Sequence, residues 1–271
     1  MNPATSMTAK GHSLPRRYRA AAMTEDHLLA VLHEAASAAI DATSGSGDFE
    51  LVDASRGQHV VDVAADDAAL AVLIGAGLGV LSEESGRHHA DCPVTVVLDP
   101  LDGSSNASRG LPWYATSLCA VDAEGLLATV VVNQVSGERY EAIRGGGARR
   151  DGETLTPSGV RRLQDAMVGL SGLPPVWLGW RQYRSLGAVA LDLCAVAEGR
   201  LDGYIDCSPS AHGPWDYLGG MLICQEAGAA IEDAAGRDLV VLEHGARRTP
   251  VAGATPELLA EALAARRTFP V

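Results

Sequence analysis

The stretch VTVVLDPLDGSSN, residues 94–106, constrains this chain more than any other, because an apolar strand runs directly into a turn with two carboxylates and then small residues. Val94, Val96, Val97 and Leu98, with Thr95, form a β-branched segment without charge, which predicts a strand buried on both faces. Pro100 is expected to end it. Asp99 stands at the last strand position and Asp102 three residues on, across a proline turn that can aim both side chains into the space beyond the sheet edge. Carboxylates this close repel unless a cation lies between them, and hard oxygen donors without His or Cys suit Mg²⁺ or a similar ion rather than zinc. If a helix starts at Gly103, Ser104 and Ser105, its free N–H groups offer an anion site beside the cation. Asp, Pro, Gly and Ser are also common turn residues, so DPLDG alone reads equally as a capped surface turn.

Length and charge narrow the setting. A chain of 271 residues can bury a large core, and with aromatics at only 4% that core must rest on Ala, Val and Leu. A formal net charge of −13 argues against a nucleic-acid or anionic-membrane partner, and leaves an anionic substrate to be met by local metal ions. The five cysteines, Cys92, Cys119, Cys194, Cys207 and Cys224, show no CxxC or zinc spacing, which suits reduced core thiols of a cytoplasmic protein. Apolar runs stay short of the roughly 18 residues a membrane span needs. Arg16, Arg17 and Arg19 have no apolar segment behind them, so a signal peptide is not expected. Residues 1–23 are expected to be a disordered leader. Residues 24–271 are expected to form a single domain, with a metal-binding half over 24–160 and a C-terminal half over 161–271.

Along the chain, Leu28, Leu29, Val31, Leu32, Ala35, Ala36 and Ile40 recur at helical spacing, and strands are expected at 49–52 and 59–63. Asp66 precedes an alanine-rich helix, where a carboxylate makes a good cap. A strand over 77–81 leads into Ser82-Glu83-Glu84-Ser85, a pair of acids that base rates alone would place in a solvated loop. An antiparallel meander is expected over 113–121, 125–134 and 138–143, with turn signals between. A strand over 166–172, a helix over 188–198, a strand over 202–206, a helix opened by Trp215-Asp216, a strand near Val251 and a helix over 256–267 complete the order.

The longer string DPLDGSSNASRGLPWYATSLCAV closely resembles the DP(I/L)DGT-x-N-x-x-x-G-x-P motif of the inositol monophosphatase family, within the lithium-sensitive, Mg²⁺-dependent phosphatases that also include fructose-1,6-bisphosphatase. SEES is similar to the family's G-E-E-S, with Ser82 in place of Gly. WDYLGGMLICQEAG is similar to its W-D-x-x-x-G-x-(I/L)-(I/L)-x-x-E-A-G, and residues 187–190 to its G-S-A-A turn. The family's T-x-A-D-x-A-x-E segment is matched with its Asp on Asp66, its Thr on Val63 and its Glu on Leu70; Asp67 is one residue out of register. RGGGARRDG is similar to a structural hairpin, which leaves Arg149 and Arg150 as surface residues and Glu226 as a structural one.

The resemblance implies an α+β fold, a layered α/β/α/β/α sandwich, in an often dimeric enzyme. It implies hydrolysis of a small phosphorylated metabolite with two or three Mg²⁺ ions. One ion would be held by Glu83, Asp99 and the carbonyl of Leu101, and a second by Asp99, Asp102 and Asp216. Two ions about 4 Å apart can activate water and stabilise the leaving oxygen. Glu84 would orient water, as would Ser104, which takes the place of the family's Thr and would be backed by Asp66. Amides of Gly103 and Ser104 would hold the phosphate, and Asp206 would contact a substrate hydroxyl. Inositol 1-phosphate is the expected substrate. Histidinol phosphate is the first alternative, then fructose 1,6-bisphosphate and adenosine 3′,5′-bisphosphate, with selectivity in 173–186 and 204–214. A reading of another class is a catalytically silent, metal-binding interaction protein.

Overall fold

The computed structural model describes residues 23–46, 51–53, 58–208 and 211–270. The chain begins with helix α1 (Glu25–Ser46), a hairpin of β1 (Leu51–Asp53) and β2 (Gln58–His59), and α2 (Val60–Gly75). Strands β3 (Gly79–Ser82), β4 (Gly86–His88) and β5 (Thr95–Asp102) follow, then the one-turn helix α3 (Ser104–Ala107). The meander is β6 (Ala115–Asp122), β7 (Gly125–Asn133), β8 (Arg139–Ile143), β9 (Gly147–Arg150) and β10 (Glu153–Thr154). The rest comprises β11 (Met167–Ser171), β12 (Gln182–Arg184), α4 (Val189–Ala197), β13 (Gly203–Asp206), α5 (Pro214–Ala227), β14 (Ala230–Asp233), β15 (Pro250–Gly253) and α6 (Pro256–Arg266).

Among the described residues the strands form the hairpin, an eight-stranded sheet in the order β10-β9-β8-β7-β6-β5-β3-β4, and a five-stranded sheet in the order β12-β11-β13-β15-β14. Alternation along β5 to β7 gives the large sheet two apolar faces. Val96, Leu98, Leu118 and Val130 pack under α1 and α2, while Val97, Cys119 and Val131 pack with α4 and α5. The central helices also meet Tyr204 and Ala252 of the smaller sheet, whose other face, with Val168, Ile205 and Val251, is covered by Leu258, Leu259 and Leu263 of α6. The result is the expected α/β/α/β/α sandwich.

Three local expectations differ. Residues 60–63 belong to α2 rather than a strand, because Val61, Ala65, Ala69 and Leu73, all fully buried, place one helix face under α1 and override the β-branched start. Asp66 therefore lies inside the helix and not before it. Pro100 does not end β5: pairing continues to Asp102 across a bulge, where a missing N–H costs nothing and the Pro100 carbonyl accepts from Thr116 Oγ1 at 3.0 Å. Of the expected leader, only Met23 is described, and it packs against the α1–α2 core. Phe49 of the expected 49–52 strand lies outside the described residues. The region around Trp177 and Trp180, which gave no sequence reading, supplies the parallel edge strand β12. No described helix is long and apolar enough to cross a membrane.

Candidate active site

Four segments converge where β3 and β5 run parallel. Their register pairs Ser82 with Leu98, and the Glu83 N–H donates to the Leu98 carbonyl at 3.0 Å, so Glu83 leaves β3 beside Asp99. Along a regular strand, residues three apart point to opposite faces. The bulge supplies the correction: Asp99 pairs with Ser117 and Asp102 with Ala115, one residue more on β5 than on β6, which brings Asp102 back toward the side of Asp99.

Asp216 arrives from the third turn-forming segment. It sits at the third position of α5, behind Pro214, and its Oδ2 accepts the Gly213 N–H at 2.8 Å. The helix lies close to the sheet because it carries Gly219, where a Cβ would stand 2.5 Å from Ser117 Oγ, and close to α4 because it carries Gly220, where one would stand 2.5 Å from Leu193 Cβ. Ligand atoms of Glu83, Asp99 and Asp216 all lie within 4.8 Å of one another. Asp102 stands outside that triangle, its Oδ2 accepting the Ala190 N–H at 2.8 Å.

The electrostatics call for a cation. Burial first, then the charges of Glu83, Asp102 and Asp216, push the Asp99 carboxyl well above the usual range. Glu83 is raised by burial and then by Asp216, Glu84 and Asp102. Asp102 is raised by burial and by Asp216, against the pull of the Ala190 N–H. Asp99 Oδ1 accepts from the Leu101 N–H at 3.0 Å, while its buried Oδ2 has no hydrogen-bond partner among the described residues. An orphaned, buried carboxylate oxygen facing two further acids is what a hard divalent ion fits.

The turn after β5 is tightly built. Gly103, at φ 85°, has room for no Cβ, which would meet the carbonyls of Gly187 and Trp113 at 3.1 Å. Asn106 Nδ2 donates to the Trp113 and Leu186 carbonyls, each at 2.7 Å, clamping the turn after β5 to the turn before α4. Ser104 opens α3 half-buried.

Asp66 is buried, and Ser82 Oγ donates to its Oδ1 at 2.5 Å while accepting the N–H groups of Glu84 and Ser85. Its carboxyl is raised by burial, with Ser82 opposing. One helical turn earlier, in the first turn of α2, lies a second buried acid, Asp62, which the sequence reading passed over. Sliding the T-x-A-D-x-A-x-E register back by one turn puts its Asp on Asp62, its second Ala on Ala64 and its Glu on Asp66.

Beside the acidic cluster a cleft of about 190 Å³ is lined by Asp102, Asp216, Ser171, Ser185, Asp192 and His212. Asp206 is fully buried rather than solvated. Its Oδ1 accepts the Ser208 N–H at 2.8 Å and lies 3.7 Å from His212 Nε2, and burial raises its carboxyl against the nearby His212. His212 Nδ1 is 3.3 Å from Asp216 Oδ2. Burial opposes the imidazolium, but the hydrogen bond and charge of Asp216, with Asp206, outweigh it and hold the His212 pKa up. Neither His212 nor Asp192 was singled out by sequence. The available signal for Asp192 was a lone acid in VALDLCAVA, a helix whose nine residues are all buried.

A description of the inositol monophosphatase family matches residues 25–172 and 161–269. The chain belongs to the inositol monophosphatase family. It is 32% identical over 205 residues to a fructose-1,6-bisphosphatase of Pyrococcus furiosus, covering 74% of this chain and 79% of that protein. It is 33% identical over 200 residues to a putative Nus factor SuhB of Neisseria meningitidis, covering 68% and 73%. Among solved structures, a hypothetical protein of Pyrococcus horikoshii with similarities for inositol-1 monophosphatase superposes with a TM-score of 0.77 at 25% identity, covering 89% of this chain and 96% of that one. The family therefore accounts for a metal-dependent phosphatase scaffold, and its members named here differ in what they are described as doing.

Proposed function

We propose that this chain hydrolyses a small phosphate monoester with Mg²⁺ at the Glu83–Asp99–Asp216 triangle. The observation that carries the proposal is that triangle, three acids with ligand atoms within 4.8 Å and one buried oxygen lacking a partner among the described residues. Asp102 and the Leu101 carbonyl would complete the ligand set. When bound, the metal supplies Lewis-acid activation of the phosphoryl group and a more acidic water. Glu84 and the Ser104 hydroxyl would orient the attacking water, the Gly103 and Ser104 amides would bind phosphoryl oxygens, and Asp206 would take a hydroxyl of the leaving alcohol. His212, between Asp206 and Asp216, holds the two carboxylates in register. The family resemblance supports a homodimer in the cytoplasm and sensitivity to Li⁺.

The helix register supports Asp62 in the water-orienting role first placed on Asp66, with Asp66 and Ser82 buttressing the Glu83–Glu84 turn. Asp62→Asn is then expected to lower kcat by roughly 10²-fold or more, the usual scale for a proton-handling group, and Asp66→Asn to act mainly on the apparent metal affinity. A loss of kcat confined to Asp66→Asn would return the role to Asp66.

Phosphate release is to be measured on inositol 1-phosphate, histidinol phosphate, fructose 1,6-bisphosphate and adenosine 3′,5′-bisphosphate, with Mg²⁺, with EDTA and with added Li⁺. Release from a monoester that requires Mg²⁺ and falls with Li⁺ is the expected result. Silence on all four by a protein that still binds Mg²⁺ would favour the non-catalytic reading, the direction in which the similarity to a Nus factor points.

A further inference from the structure

We infer that the alcohol side of the cleft is built for a phosphate monoester whose alcohol carries a protonated amine, received by Asp192. The inference rests on the phosphatase proposal for its substrate, and on an inventory of charge for its selectivity. Asp102 and Asp216 belong to the metal end. His212 is already bracketed by Asp206 and Asp216, at 3.7 and 3.3 Å. Asp192 remains. It is 1% exposed, lines the cleft, and among the described residues its Oδ1 accepts only the neutral indole N–H of Trp113, at 2.9 Å. No Lys or Arg among the described residues forms an ion pair with it, and none lines the cleft.

Placing an acid in a fully buried helix is costly unless its charge is met. An ammonium group in the cleft meets it, in a setting too desolvated for water to screen the pair. A second phosphate on the substrate would find the reverse, since it would face Asp192 with only the already paired His212 to receive it. Two further basic groups, His244 and Arg247, line a separate pocket with Glu83, Glu84 and Trp215. Arg247 there lies over the Trp215 ring at 5.2 Å and donates to the carbonyls of His244 and Ala246. A purely structural Asp192, present to hold Trp113, would need only an acceptor oxygen, and Asn would serve as well.

That difference sets the experiment. Histidinol phosphate and its analogue lacking the amine, 3-(imidazol-4-yl)propyl phosphate, are compared in kcat/KM with Mg²⁺, for the full chain and for Asp192→Asn. Wild type is expected to favour the amine-bearing compound by about tenfold or more, through KM, and Asp192→Asn to erase most of that ratio. A wild-type ratio near one, or the same ratio in Asp192→Asn at unchanged circular dichroism, overturns the inference. Trp113→Phe, which removes the indole donor and leaves the carboxylate, is expected to keep the preference, and losing it would also overturn the inference. Calorimetric binding of histidinol against imidazolylpropanol reads the same contrast without turnover. If neither these two compounds nor inositol 1-phosphate, fructose 1,6-bisphosphate and adenosine 3′,5′-bisphosphate are hydrolysed, the phosphatase proposal fails, while tighter, Asp192-dependent binding of histidinol would still support the amine site. Equal binding of the two alcohols would remove it.

Discussion

Asp99→Asn is expected to abolish phosphate release while raising the melting temperature of the metal-free protein. The two effects have one cause. Asp99 is 1% exposed, its charge opposed by burial and by Glu83, Asp102 and Asp216, so without a cation the carboxylate is a strained feature of the fold. Asparagine keeps the acceptor for the Leu101 N–H and loses the charge. Removing an uncompensated buried charge is worth roughly 1 kcal/mol or more, about 2–4 °C in a domain of this size. Loss of the carboxylate proposed to hold the metal with Glu83 and Asp216 is expected to cost at least about 10³-fold in rate, near 4 kcal/mol of transition-state stabilisation. Phosphate release and a thermal melt in EDTA check both halves. Wild-type turnover would remove Asp99 from the metal site, and a lowered melting temperature would mean that the charge is already met within the protein.

The second large effect is on pH. Glu83, Asp99 and Asp102 are all raised in the folded state, so between about pH 4, where unfolded carboxylates titrate, and the raised folded values the native protein binds more protons than the unfolded chain. Unfolding free energy therefore falls as pH rises through that window. His212, also raised in the folded state, contributes in the same direction, its stabilisation being lost as pH rises through its folded pKa. Asp122, Glu138 and Asp233 act oppositely. Their carboxyls are lowered by Arg144, by Ser136 and Arg200, and by Arg237, so their contribution is present above their unfolded values and is lost in acid. The metal-free protein is expected to melt at a higher temperature near pH 5 than near pH 8, and Mg²⁺ to raise the melting temperature more at the higher pH, where no protons compete for the ligands. Melting curves with EDTA and with Mg²⁺ at the two pH values test this. A Mg²⁺ shift that is larger near pH 5 would contradict it.

How legible the site was depends on how local each part is. Asp99, Asp102 and Gly103 lie within one turn, and the clash of their charges is visible in five letters. Glu83 and Asp216 were legible only through the family resemblance, since an acid pair leaving a buried strand and an acid opening an apolar helix are each ambiguous alone. The helix that carries Asp66 was expected to begin after it and begins at Val60 instead. Its β-branched start looks like a strand until α1 packs on it, and only then do Asp62 and Asp66 become two buried acids on one helix. The bulge at Pro100 and Leu101 was hidden for a related reason: a proline ends a strand unless the neighbouring strand leaves its nitrogen unneeded and takes its carbonyl instead.

The sequence by itself determined the donor chemistry of the turn. A strand with no charge, paired carboxylates in a proline turn and the absence of His or Cys between them offer hard oxygen donors, a pattern that by itself reads equally as a capped surface turn. The tertiary structure alone decided the company those carboxylates keep. Asp192 and Trp113 are 79 residues apart, and Asp66 and Ser82 are 16 apart. Whether a carboxylate is solvated, paired or left to a ligand depends on burial and on neighbours brought in by packing, and no local pattern carries that information.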